Sequence, residues 1–114
     1  MSDKESGLFP LVELALGVVK DVTIHDSLKR IQEAHREYLL ECAKANRKKT
    51  DAVIKAMQKL DIERLRLESE YRRLENVLSD EASCNIVKII QHLEHIRKQM
   101  VMEKNSIVKN KLHS

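Results

Sequence analysis

The most apolar part of this chain is the segment from Leu8 to Ile24. On a helical wheel Glu13, Gly17 and Lys20 form one narrow polar stripe, whereas most of the remaining circumference is apolar. Pro10 suits the first turn of a helix, where its missing N–H group costs nothing. The pattern predicts a short apolar helix over residues 8–24, which has to pack against the rest of the protein or against a partner. Residues 1–7, by contrast, are expected to form a disordered N-terminus.

A second, amphipathic helix is predicted after a break around residues 22–27, where Asp26 and Ser27 are candidate N-caps. Its apolar stripe recurs in alternating steps of three and four residues, the period of one helical face. The stripe consists of Leu28, Ile31, His35, Tyr38, Cys42 and Ala45. It is imperfect, because a strong coiled coil would place Leu or Ile where His35 and Ala45 stand.

The polar stretch 46–50 interrupts this periodicity and leaves two alternatives open. In the first, the chain turns, with Asn46 ending one helix and Thr50 capping the next. In the second, one long helix continues through a phase shift. The absence of Gly and Pro from the stretch favours the continuous helix.

The most regular apolar stripe follows this stretch, and we refer to it as the seam. It alternates strictly between steps of four and three residues and has one charged member, Arg64. Ser79 and the two acidic residues after it are typical of a new helix start. The apolar members of the seam are Val53, Met57, Leu60, Leu67, Tyr71, Leu74 and Leu78.

A last helix is predicted from Asp80 onward, with an apolar stripe at Ile86, Ile89, Ile90, Leu93, Ile96, Met100 and Val101. Residues 50–78 and 80–109 are nearly equal in length, so a short turn between them predicts an antiparallel hairpin of about 40 Å. Residues 25–112 are accordingly expected to form one helical hairpin or bundle domain. In a chain of this size, a second copy is expected to help bury the apolar surface.

Glycine and proline are almost absent from the chain. Neither occurs in the 97 residues after Gly17, where a globular stretch of average composition would hold about a dozen. Two tyrosines, one phenylalanine and no tryptophan leave an aliphatic core, which suits packed helices. The expected fold class is all-α: a helical bundle or antiparallel coiled coil around the seam, completed by oligomerisation.

Basic residues cluster in residues 43–60, which hold six basic side chains and one acidic one. The predicted hairpin brings the basic segment 104–111, with Lys104, Lys109 and Lys111, to the same pole. The basic patch could neutralise phosphates, but no helix-turn-helix is recognisable and few aromatic residues are present for stacking. A solvated surface is therefore favoured over nucleic-acid binding. The patch consists of Lys44, Arg47, Lys48, Lys49, Lys55 and Lys59.

The chain carries no catalytic or cofactor signature. His92 and His95 stand one helical turn apart, but no further ligand motif accompanies them, so a structural or solvated role is favoured over a metal site. Cys42, on an apolar stripe, is expected to be a small buried residue, and a reactive role for Cys84 near a helix start is disfavoured. The missing glycines exclude a phosphate-binding loop. We therefore expect no enzyme activity, no cofactor and no metal.

The location expected from the sequence is the cytoplasm. Two cysteines are too few for a disulfide framework, and the N-terminus lacks the basic start of a secretory signal. No apolar run reaches the roughly 20 residues that a membrane-spanning helix needs.

The function expected from these features is that of a non-catalytic helical interaction protein, such as an adaptor, inhibitor or assembly subunit. Its expected partners are a second copy of the chain and another protein. One alternative is a nucleic-acid-associated protein that uses the basic pole around residues 44–59 and 104–111, and another is a peripheral membrane protein that uses residues 8–24. The largest apolar group outside the seam is the predicted partner contact: Leu8, Phe9, Leu11, Leu14, Leu16 and Val18.

Overall fold

Four α-helices and no strand form within residues 7–46 and 50–113, which are the residues that the computed structural model describes; side chains are described as far as Gln99. The helices are α1 (Leu8–Val18), α2 (Val22–Lys44), α3 (Asp51–Leu74) and α4 (Asp80–His113). The expected all-α class is therefore confirmed.

The helices form a bundle in which each one packs against the next and α4 packs back against α1. Two ion pairs show that α2 and α3 run antiparallel: Arg30 contacts Glu63 at 3.1 Å, and Glu37, further along α2, contacts Lys59, further back on α3, also at 3.1 Å. α1 and α2 also run antiparallel, and so do α3 and α4, because in each pair the later residues of one helix contact the earlier residues of the other. The described chain measures 54 × 25 × 25 Å, and α4, at 34 residues and about 1.5 Å per residue, accounts for the long dimension.

The core is aliphatic, and every helix contributes to it. Because α1 contacts both α2 and α4, its buried side chains complete the core over the part of the bundle that it covers. Its apolar character is thereby explained without a partner. The largest fully buried core side chains are Leu8, Val12, Ile24, Leu28, Ile31, Leu60, Leu67, Ile86, Ile89 and Leu93.

The predicted helix over residues 8–24 is two elements, and the proposed caps at Asp26 and Ser27 are wrong. α1 ends at Val18, and Val19 and Asp21 have extended backbones. The carboxylate of Asp21 accepts a hydrogen bond from the N–H of Ile24 at 3.0 Å, so Asp21 is the N-cap of α2. Ser27 instead lies inside α2, fully buried, where its Oγ accepts from Arg30 at 3.0 Å. Pro10 does lie in the first turn of α1, as predicted.

The chain turns between α2 and α3, so the favoured continuous helix is wrong and the alternative is confirmed. Asn46 has a φ of 52°, in the left-handed region that commonly ends a helix and that Asn tolerates better than most residues. Thr50 caps α3, with its Oγ1 accepting from the N–H of Val53 at 3.2 Å. The packing of α2 along α3 outweighs the propensity of a polar stretch to remain helical.

The break between α3 and α4 lies at Ser79, where the N-cap residue and the acidic residues after it predicted a new helix. Ser79 Oγ accepts a hydrogen bond from the N–H of Ala82 at 3.1 Å, and α4 begins at Asp80. The antiparallel pairing of the last two helices is also confirmed. α3, however, ends at Leu74, so Leu78 lies in the connection, where it still packs half-buried against the core.

Candidate functional site

Most of the six α1 residues predicted to bind a partner pack against other side chains of the bundle. Leu8 is buried in the core, and Leu11, Leu16 and Val18 pack against it half-buried. Phe9 is half-buried as well: its ring and that of His35 form a T-shaped pair with a centroid distance of 5.8 Å, and Arg36 lies over the Phe9 ring at 5.9 Å. Leu14, which is 58% exposed, is the member of the six with most of its side chain in solvent.

The seam faces the core of the same chain. Val53, Met57, Leu60 and Leu67 are buried, and Tyr71, Leu74 and Leu78 are half-buried against the core. The helices of one chain therefore cover this stripe, and a second copy is not needed to bury it.

Arg64, the charged member of the seam, is buried within an ion-pair network that joins α3 to α4. Its guanidinium contacts Asp61 at 2.7 Å, Glu68 at 3.4 Å and Glu94 of α4 at 3.4 Å, and Arg97 contacts Asp61 from α4 at 3.4 Å. Burial alone would lower the pKa of Arg64, but the three carboxylates outweigh it and raise the pKa. The network holds a charge inside the bundle and fixes the register of the two helices.

A buried histidine lies between α1 and α4. His35 of α2 is 5% exposed, and burial together with the nearby His92 of α4 lowers its pKa to about 4. Burial and His95 lower the pKa of His92 as well. Both shifts favour the neutral imidazole, so His35 and His92 are uncharged in the folded chain at neutral pH.

A metal centre is not assembled here or elsewhere in the described ranges, where no group of three or more His, Cys, Asp and Glu side chains is placed to hold an ion. Cys42 is half-buried and Cys84 is exposed, and both are free thiols.

The predicted basic patch is partly neutralised. Lys44 pairs with Glu41 at 3.8 Å and Lys59 pairs with Glu37 at 3.1 Å, whereas Lys55 is exposed and makes no ion pair with any described residue. Arg47, Lys48 and Lys49 lie outside the described residues, and so do the side chains of Lys104, Lys109 and Lys111.

A second stripe of α3, opposite the seam, points into solvent. At about 100° per residue its members fall within about one third of the helix circumference, so they share one face of the helix. At its centre Ile62 is 54% exposed and Leu65 is 51% exposed, one helical turn apart. We define the α3 outer face as Lys55, Gln58, Ile62, Leu65, Arg66, Ser69 and Arg72, all exposed.

This face was missed from the sequence because the seam accounted for α3. The available signal was the position of Ile62 and Leu65, which are large aliphatic residues outside the seam. A solvent-facing stripe of an amphipathic helix is normally polar, so two such residues in adjacent turns stand out once the seam is assigned.

An open cleft of about 390 Å³ lies between α3 and α4 beside this face. Arg72 is part of both the cleft and the α3 outer face. Tyr71, Val87 and Ile90 form the apolar part of the cleft. The complete lining is Glu68, Tyr71, Arg72, Glu75, Val87, Ile90 and Gln91. Ile62 and Leu65 do not line the cleft, so Arg72 is the residue that the cleft and the α3 outer face share.

Comparison with protein families, with curated proteins and with solved structures finds no match for this chain. In the described part of the chain, none of the helices combines the length and the apolar character needed to cross a membrane. The class that the structure defines is an all-α helical bundle.

Proposed function

We propose that this chain is a non-catalytic helical interaction protein that binds another protein through the α3 outer face. The observation that carries the proposal is the pair Ile62 and Leu65, each more than half exposed and in adjacent turns of one helix. Exposed aliphatic residues are common singly, but a pair bordered by a cleft is typical of a contact site. Burial of both side chains would contribute on the order of 2 kcal/mol to binding.

The bundle gives this face a rigid support. Contacts of α3 with both α2 and α4, together with the Arg64 network, fix the helix along most of its length. A preformed helix loses little conformational entropy on binding, so most of the contact energy remains available for affinity.

The contact predicted on α1 becomes secondary in this proposal. Leu14 is the α1 residue best placed to extend a contact, since Leu8 belongs to the core. Homo-oligomerisation and a cytoplasmic location stay predictions. Light scattering at micromolar concentration tests the first, and a monomer with normal helicity would contradict it.

The proposal is tested by capture from the lysate of the source cells, followed by quantitative mass spectrometry. The Ile62→Ser/Leu65→Ser variant is compared with the wild type and with Leu39→Ser/Leu40→Ser, a control that removes two exposed leucines from α2. We expect proteins that are held by the wild type and by the control but lost from the Ile62→Ser/Leu65→Ser variant. Equal capture by all three proteins would refute the α3 outer face as the binding surface.

A further inference from the structure

We infer that the partner of the α3 outer face is an acidic amphipathic helix of another protein. This inference rests on the proposed function and adds the chemical class of the partner. It follows from the charges that surround Ile62 and Leu65.

Four of the five carboxylates of α3 have cationic contacts within the chain, and the fifth, Asp51, lies in the first turn of the helix. Between residues 55 and 72 they number four, and each one has a cationic partner in the chain. Asp61 and Glu68 contact Arg64, and Glu63 contacts Arg30. Glu70 pairs with Arg73. Each of these four carboxylates therefore already has a cationic contact within the chain, although Asp61 and Glu68 share Arg64.

The cations of the α3 outer face have no such partners. Lys55, Arg66 and Arg72 are exposed, and none of them makes an ion pair with a described residue. They lie on the same side of α3 as Ile62 and Leu65, within about two helical turns of the pair. An apolar centre with a cationic rim is complementary to a helix whose apolar stripe is bordered by Asp or Glu.

A second copy of this chain fits the face poorly. Two copies joined through the same surface would bring Lys55, Arg66 and Arg72 against one another, and like charges across an interface are destabilising. Duplex nucleic acid would use the cations but would leave Ile62 and Leu65 without an apolar partner. A membrane surface would bury only two aliphatic side chains, less than an interfacial helix presents.

The cleft beside the face gives such a helix an anchor. Tyr71, Val87 and Ile90 line its apolar part, and Arg72 lines the cleft beside them, where it can meet a carboxylate of the incoming helix. Glu68 and Glu75 also line the cleft, so its apolar part and Arg72, and not its net charge, are what it offers to an acidic helix. A large apolar side chain of the partner, placed two turns from its contact with Leu65, would enter this cleft.

The inference is tested with three synthetic amphipathic helices that share one leucine-rich apolar stripe. Their polar positions are filled with Glu, with Gln or with Lys, and binding to the full chain is measured by fluorescence anisotropy at low and at high salt. We expect the Glu peptide to bind most tightly and to weaken as salt rises, because exposed charges are screened.

Matched variants locate the site. We expect Arg66→Glu/Arg72→Glu to weaken binding of the Glu peptide about tenfold, and Ile62→Ser/Leu65→Ser to weaken it about tenfold or more. Lys29→Glu/Lys88→Glu makes the same change in net charge at exposed sites on α2 and α4 and should leave binding unchanged. Circular dichroism of each variant confirms that the bundle is intact.

The outcomes separate this inference from the proposed function. If the Gln or Lys peptide binds as tightly as the Glu peptide and still depends on Ile62 and Leu65, the acidic class is wrong and the interaction surface stands. If no peptide binds, or if binding ignores both variants, the inference and the surface fail together. Tight binding of labelled duplex DNA that Arg66→Glu/Arg72→Glu abolishes would identify a nucleic-acid surface and overturn the acidic helix.

Discussion

Acidification should destabilise this bundle through His35. The side chain is 5% exposed, with the ring of Phe9 in T-shaped contact and His92 of α4 nearby. Its pKa in the folded chain is about 4, against the ordinary imidazole value of 6.5. As pH falls below about 6.5, the unfolded chain therefore takes up a proton at His35 while the folded chain does not. Each step toward pH 4 favours unfolding.

The size of the effect follows from the two pKa values. The difference between the two pKa values corresponds to roughly 3 kcal/mol once the pH lies below both values. At a pH of about 4.5 most of this is lost already, so His35 should lower the free energy of unfolding by about 2 to 3 kcal/mol relative to neutral pH. The pKa of His92 is also lowered, so its contribution has the same sign. Total stabilities of small domains are about 5–15 kcal/mol, so the change is large.

Denaturant unfolding of the wild type and of His35→Gln, followed by circular dichroism, measures this contribution. The informative quantity is the difference between the two proteins in their pH dependence, because the rest of the chain is common to both. Between neutral pH and about pH 4.5 the wild type should lose about 2 to 3 kcal/mol more than His35→Gln.

The reasoning fails if His35→Gln is as sensitive to acid as the wild type. That result would mean that His35 is hydrated enough in the folded chain to take up its proton near the ordinary value. A His35→Leu variant separates the two effects of the substitution, because it also removes titration but restores an apolar contact with Phe9. Both variants should have the same shallow pH profile, whatever their stability at neutral pH.

Denaturant unfolding at neutral pH checks four further predictions. Thr50→Ala removes the cap on the Val53 N–H group and should cost about 1 kcal/mol, which Thr50→Ser should largely restore. Arg64→Ala leaves three carboxylates without their shared cation and should cost about 3 kcal/mol, and Arg64→Met, which leaves the same carboxylates unpaired but keeps an aliphatic side chain at this buried position, should recover only the packing part of that loss. Asn46→Gly relieves the left-handed backbone and should stabilise the chain by about 0.5 kcal/mol, while Asn46→Ala should destabilise it. Ile62→Ser/Leu65→Ser should change stability by no more than about 0.5 kcal/mol, and a much larger loss would show that the pair supports the fold.

Sequence reasoning predicted best where one local signal sufficed. The spacing of the seam identified buried positions of α3 from Val53 to Leu67, because a regular period persists over several turns. The start of α4 was also predicted, since Ser79 and the acidic residues after it satisfy the first N–H groups of a helix. Both signals depend on neighbours in sequence, and neither requires knowledge of the fold.

Features that depend on packing between helices were not predictable in this way. The stretch 46–50 has no strong breaker, and the chain turns there because packing of α2 on α3 stabilises more than one continuous helix would. The cap at Asp21 was missed because the apolar residues on both sides of it looked like one helix. His35 and His92 are distant in sequence, and only the tertiary fold places one near the other.

The fold of the bundle explains the seam of α3 but not the α3 outer face. The seam is required by the fold, since removal of its side chains would open the core. The α3 outer face has no comparable role: Ile62 and Leu65 lie mostly in water, and the carboxylates that would neutralise the adjacent Arg66 are engaged elsewhere in the bundle. A surface selected only for solubility would carry mixed charges at these positions. The combination of exposed aliphatic residues and unpaired cations is accounted for by a partner that supplies both an apolar stripe and negative charge.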